Sequence, residues 1–232
     1  MEAFFSDLLD GFLEPVFLGK VCKKFHYDKV QLPELREVAE EMLPLICEEA
    51  FWERKEFFAQ NGYGSGNSGM VYEEVVISLG EGLDKLQGGY SQRELLSRSY
   101  MLEVLASELL MEGYGAYNRY IGENTEWHVA GYHFPGSEDD FPLEMLPQLL
   151  RGLEGRVGCN AAFCMQPKKS TVFIAELTQE EKVRCEGICV RCGNMHCINR
   201  ANDVFLARLP MADLPLSYGY RRILGKSFAR GT

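Results

Sequence analysis

Residues 156–177 read RVGCNAAFCMQPKKSTVFIAEL, and this stretch decides the fold class. TVFIAEL, Thr171 to Leu177, has the β-branched and aromatic content of a strand, residues 156–165 read as a second strand, and the turn-like QPKKS separates them. Upstream, MVYEEVVISLG from Met70 is another strand, entered from GYGSGNSG, which has loop composition. The remaining pattern is helical. Leu35, Val38, Ala39, Met42, Leu43 and Ile46 recur at helical spacing and predict a helix, or two in line, over 32–58, kinked at Pro44. Leu95, Leu96, Tyr100, Val104, Leu105, Leu109 and Met111 predict a second over 91–120. The following GENTEWHVAGYHFPGSEDDF reads as irregular, and a short helix is expected from Pro142 with Leu143, Leu146, Leu150 and Leu153 inward. Helices and strands mixed without regular βαβ alternation define an α+β fold.

The chain of 232 residues is 46% hydrophobic and 25% charged, enough to bury one sizeable core. The expected division is an α+β domain over 1–180 and a cysteine-rich lobe with its tail over 181–232, packed as one unit. A net charge of -10 without a basic stripe argues against a nucleic-acid partner. The opening residues lack the basic, continuously apolar pattern of an export leader, and no run reaches the roughly 20 apolar residues that span a bilayer. A cytoplasmic protein without a membrane partner is therefore expected.

Eight cysteines in such a chain point to metal or redox chemistry rather than to a disulfide framework. VRCEGICVRCGNMHCINR places Cys185, Cys189, Cys192 and Cys197 at C-x3-C-x2-C-x4-C, a spacing that lets short turns converge four thiolates on one centre. Lys182, Arg184, Arg191 and Arg200 favour the thiolate form. An iron–sulfur cluster of the 4Fe–4S kind and a zinc ion both accept this ligand set, and redox-paired or free thiols are the third alternative. His196 is a substitute ligand or a solvated turn residue. Cys22, Cys47, Cys159 and Cys164 read as buried core cysteines, although the last two flank a strand turn and could approach the cluster.

Two motif matches fail on context. Gly64, Gly66 and Gly69 satisfy G-x-G-x-x-G, but a dinucleotide site needs a strand before the loop and a helix after it, the reverse of the order expected here. Cys185, Cys189 and Cys192 match the triad of radical AdoMet enzymes, yet too little chain follows for their barrel. G-x-S-x-G and H-E-x-x-H do not occur.

A longer pattern carries a resemblance. Pro135–Gly136, Asp140-Phe141-Pro142-Leu143, Cys164-Met165-Gln166-Pro167-Lys168-Lys169-Ser170 and Cys189 through Arg200 resemble successive motifs of the activation domain of vitamin B12-dependent methionine synthase and its free-standing bacterial relatives. EVVISLGEGLDKL and ELLMEGYGAYNRYI resemble the strand and long helix before them, so that the likeness runs from near Val71 to Arg200. It implies a twisted antiparallel sheet with flanking helices, a cysteine-rich C-terminal lobe, and a role in returning an inactive corrinoid to its methylated form. It implies AdoMet as a ligand too, with Glu112, Tyr132, His133, Pro135, Gly136 and Asp140 as the matching site positions. Where the family has the arginine that grips the AdoMet carboxylate this chain has Tyr132, and Ser137 replaces a tyrosine, so the bidentate clamp is missing. Glu138, Asp139 and Asp140 offer charge to an amine or sulfonium, or else cap and solvate the surface. Trp127, Tyr132, His133 and Phe134 are candidates for an aromatic rim against a flat corrin, or pack the sheet edge. The D-x-H-x-x-G loop that ligates cobalt is absent, so the corrinoid is expected on a partner, a corrinoid-carrying methyl-transfer protein. The alternative is a non-catalytic binding module with structural zinc.

Overall fold

The computed structural model describes residues 3–57, 70–138, 141–180, 185 and 188. Helices α1 (Ala3–Asp10), α2 (Pro15–Phe25) and α3 (Leu32–Glu49) precede a β1–β2 hairpin (Phe51–Glu56 and Met70–Ser78). Helices α4 (Gly82–Gln92) and α5 (Leu96–Asn124), strand β3 (His128–His133), a 3-10 turn (Leu143–Met145), α6 (Leu146–Leu149), the short β4 (Gly158–Cys159) and β5 (Met165–Gln166), and β6 (Ser170–Thr178) follow. The main sheet has the order β1-β2-β6-β3 and every pairing in it is antiparallel. This is the mixed α and β architecture that the sequence predicts. Among the described residues no helix is long and apolar enough to cross a membrane.

Strand alternation gives the sheet two different faces. Val75, Ile77, Phe173, Ala175, Leu177 and Val129 turn to one side and share a core with Leu35, Val38 and Met42 of α3 and Leu105, Leu109 and Tyr117 of α5. Val76, Val172 and Ile174 turn to the other, where Phe141, Leu146, Leu150, Leu153 and Val157 form a smaller cover. Leu146, Leu150 and Leu153 are buried as expected, whereas Leu143 is exposed.

Four expectations are corrected. The helix over 32–58 ends at Glu49; it continues across Pro44, which lies on the exposed side, and residues 51–56 are an edge strand instead. Cross-strand ion pairs, Lys55 to Glu74 and Arg54 to Glu73, both at 2.8 Å, let the charged FWERKE sequence pair with β2. The helix over 91–120 starts at Leu96 instead and runs unbroken to Asn124, because Glu94 adopts a left-handed φ of 60° and Leu95 turns its N–H back to the Tyr90 carbonyl, which ends a separate helix, α4. Gly88 and Gly89 obscure the periodicity of α4, whose start is fixed by Glu49 accepting the Gly82 N–H at 2.7 Å. The supposedly irregular stretch contains β3, whose period of two is broken by a bulge between Val129 and Gly131. Residues 156–165, expected as a strand, contribute only the two-residue β4 and the start of β5. The glycine-rich loop lies outside the described residues; the elements on either side of it, β1 and β2, are both strands, so no helix follows for a dinucleotide site.

Candidate functional site

Edge strand β3 carries two candidate residues to opposite faces. Tyr132 pairs with Ala175 and enters the helix-side core, while His133 pairs with Ile174 and faces the smaller cover.

On the helix side, Cys185 lies against the β3 edge. Its N–H donates to the Val129 carbonyl at 2.7 Å, and its own carbonyl accepts the Asn118 Nδ2–H at 3.0 Å from α5. The residue is 5% exposed, at the seam between β3 and α5, and Ile188 packs on the same core. Tyr132 is buried beside it and donates its hydroxyl to the Tyr114 carbonyl at 3.3 Å. Burial, followed by the neighbouring Cys185 and Tyr114, holds the Tyr132 phenol well above its usual range, so that it remains a neutral donor.

On the opposite side His133 stands between two carboxylates. Its Nδ1 lies 2.9 and 3.1 Å from the Glu138 oxygens and its Nε2 3.5 Å from Glu176 Oε2, with the Tyr72 ring centred 6.3 Å away. The loop that brings Glu138 back is a tight turn: Gly136, at φ 80°, donates its N–H to the Phe141 carbonyl at 2.7 Å, and Phe141 is buried in the smaller core. A Cβ at Gly136 would sit 3.2 Å from Leu143 Cβ, so the Pro135–Gly136 motif fits a position that glycine suits best. Burial pushes the His133 pKa down, but the Glu176 and Glu138 carboxylates outweigh it and the net displacement is upward from the ordinary 6.5. A raised histidine pKa stabilises the fold below the unfolded value of about 6.5 and loses that contribution as pH rises through the folded value. Glu138→Gln is accordingly expected to lower the His133 pKa and to destabilise the protein most below pH of about 6.5, the difference shrinking above it. Imidazole NMR titration with urea unfolding at several pH values checks this; an unchanged His133 pKa would rule it out.

The other candidates fall elsewhere. Glu112, on α5, pairs with Lys20 of α2 at 2.5 Å on the helical side and does not join His133. Trp127 and Phe134 are half-buried against the helix-side core. Asp139, Asp140, Cys189, Cys192, His196 and Cys197 lie outside the described residues, and among those described no three His, Cys, Asp or Glu side chains form a metal site. Cys22 and Cys159 are half-buried and packed against the larger and the smaller core respectively, whereas Cys47, near the end of α3, and Cys164, in a tight turn, are exposed, which corrects the expectation of burial for those two. A groove of about 650 Å³ between the start of α4 and the β5–β6 turn contains Asp84, Arg156, Cys159 and Lys168 in its walls, but none of the predicted site residues.

Asn118, Glu176 and Tyr72 were not predicted. A signal for Glu176 exists, since it is a charged residue at a position of TVFIAEL where the alternation demands burial, and it is only 7% exposed. A scan against protein-family models finds no match for this chain, and a search of curated proteins finds none either.

Proposed function

We propose that the protein is an accessory of corrinoid chemistry, assisting the reductive reactivation of a corrinoid carried by a partner methyl-transfer protein, with its four-cysteine centre as the electron-passing element. The observation that supports this most is the seating of Cys185 on β3, the strand that also bears Tyr132 and His133. A centre built on Cys185, Cys189, Cys192 and Cys197 would thus start at the strand whose following turn, Pro135–Gly136, belongs to the resembling pattern. Iron–sulfur suits electron transfer, which zinc cannot perform. AdoMet has the weaker claim, because Tyr132, standing in for the carboxylate-gripping arginine, is turned into the core with its hydroxyl on Tyr114. A second reading, a binding module with structural zinc, is favoured by the burial of Cys185, since closed structural sites hold their ligands away from solvent.

Metal analysis and an absorption spectrum of protein purified without oxygen, beside the Cys189→Ala, Cys192→Ala double variant, test the proposal. Iron at about four per chain with absorption near about 400 nm, both lost in the variant, is the expected result. One zinc per chain sinks the electron-transfer role and leaves the module; no metal removes both.

A further inference from the structure

The groove between the start of α4 and the β5–β6 turn has no part in the corrinoid reading, and its walls have a charge pattern of their own. We propose that it is a binding site for a small linear diamine, a molecule with two ammonium groups joined by a methylene chain; this stands apart from the cysteine centre.

The groove holds about 650 Å³, and a second hollow of about 270 Å³ shares Glu81, Gly155, Arg156 and Pro167 with it, so the two form one trough. The larger part alone has the volume of a small-molecule site. Leu150, Val157 and Pro167 in the larger part and Phe51 in the smaller are buried and apolar, a surface against which methylene groups can lie. Carboxylates stand in both parts: Asp84 and Glu154 in the larger, Glu49 in the smaller, and Glu81 common to the two. Asp84 accepts the Lys168 N–H through Oδ2 at 2.9 Å, while its buried Oδ1 has no donor among the described residues, so the carboxylate is left without a cation. The neighbouring cations are engaged elsewhere. Arg156 lies over the Phe51 ring at 3.6 Å with Glu53 3.8 Å away, and Lys85 pairs with Glu81 at 2.7 Å. That leaves Lys168, among the described residues, against Glu49, Asp84 and Glu154. An anion is disfavoured, because the N-terminus of α4 that would attract it already has Glu49 Oε2 on the Gly82 N–H at 2.7 Å. A metal ion would need ligands that converge, and among the described residues no three His, Cys, Asp or Glu side chains do. Ammonium groups need no convergence: each is a compact charge with three donors and is served by one carboxylate at a time.

Isothermal titration calorimetry of the full chain at low ionic strength tests this, with cadaverine as the probe and butylamine and magnesium chloride as controls. Wild type is compared with Asp84→Asn, which keeps an acceptor for the Lys168 N–H, and with Glu154→Gln at an exposed position. Glu123→Gln, which removes an equal charge from an exposed site near the end of α5, is the control variant. The expected result is saturable binding of one cadaverine per chain, weakened about threefold or more by each groove variant, within the range for an exposed ion pair, and unchanged in Glu123→Gln. Butylamine, with a single ammonium, should bind weaker than cadaverine by about threefold or more. Should Asp84→Asn fail to fold, Glu154→Gln is read in its place. Displacement of cadaverine by an equal concentration of magnesium, or an equal loss in Glu123→Gln, would reveal general attraction to an acidic protein and overturn the site. Absence of saturable binding, or groove variants that bind like wild type, overturns it too, and butylamine binding as tightly as cadaverine overturns the diamine.

Discussion

Phe173→Ala should destabilise the protein by about 3–5 kcal/mol, the range for deleting a fully buried phenylalanine that neighbours cannot replace. Phe173 has no exposed surface and sits at the hub of four rings, Tyr114, Tyr117, Tyr132 and Phe134, at centroid separations of 5.1, 5.5, 5.4 and 6.2 Å. It comes from β6, an interior strand paired on both sides, so the backbone is not free to move into the void. The lost energy combines apolar transfer with broken edge-to-face ring contacts. For a domain of this size the melting temperature should fall by about 10 °C. A loss below about 1 kcal/mol by urea denaturation would mean that this ring cluster does not organise the core.

Lys24→Met is the second large effect, at about 3 kcal/mol, and it contrasts with Glu108→Leu, expected within about 1 kcal/mol of wild type. The Glu108 side chain is 1% exposed on α5 and is held by a salt bridge to Lys24, with Lys20 at 3.7 Å, both from α2. Taking away Lys24 leaves a carboxylate that cannot reach water; Lys20 remains near, which keeps the cost at the lower end of the usual range for a broken buried pair. Taking away Glu108 leaves two lysines whose side chains are 29% and 51% exposed and can extend into solvent, while leucine fills the helix interface. Equal losses for the two variants in parallel urea titrations would refute this asymmetry.

The contrast shows what could be read in the sequence and what could not. TVFIAEL and MVYEEVVISLG are strands because their composition dominates any local alternative, and they became the two central strands of the sheet. FWERKE could not be recognised as a strand, since what holds it there is pairing with Glu73 and Glu74 about twenty residues later in the chain. The site divides in the same way. His133 and the Pro135–Gly136 turn stand next to one another in sequence and are legible together, whereas Glu176 meets His133 only through the sheet register and Asn118 meets Cys185 only through the packing of α5. Glu112 illustrates the converse: a carboxylate near the end of a long helix attracts notice, but the lysine opposite it comes from a segment for which no helix was predicted.

The bulge in β3 has a consequence for how such a site could change over time. In a regular strand Val129 and Gly131 would face alike, but here they pair with adjacent β6 residues, Leu177 and Glu176, and every later side chain is phase-shifted by one position. Leaving Ala130 unpaired in the bulge is therefore what keeps Tyr132 on the side of the cysteine and His133 on the side of the carboxylates. Loss of that one codon would leave Gly131, Tyr132 and His133 opposite the same β6 residues and on the same faces, whereas straightening the strand with Ala130 retained would set Tyr132 opposite Ile174 and His133 opposite Phe173 and so exchange the two side chains between faces.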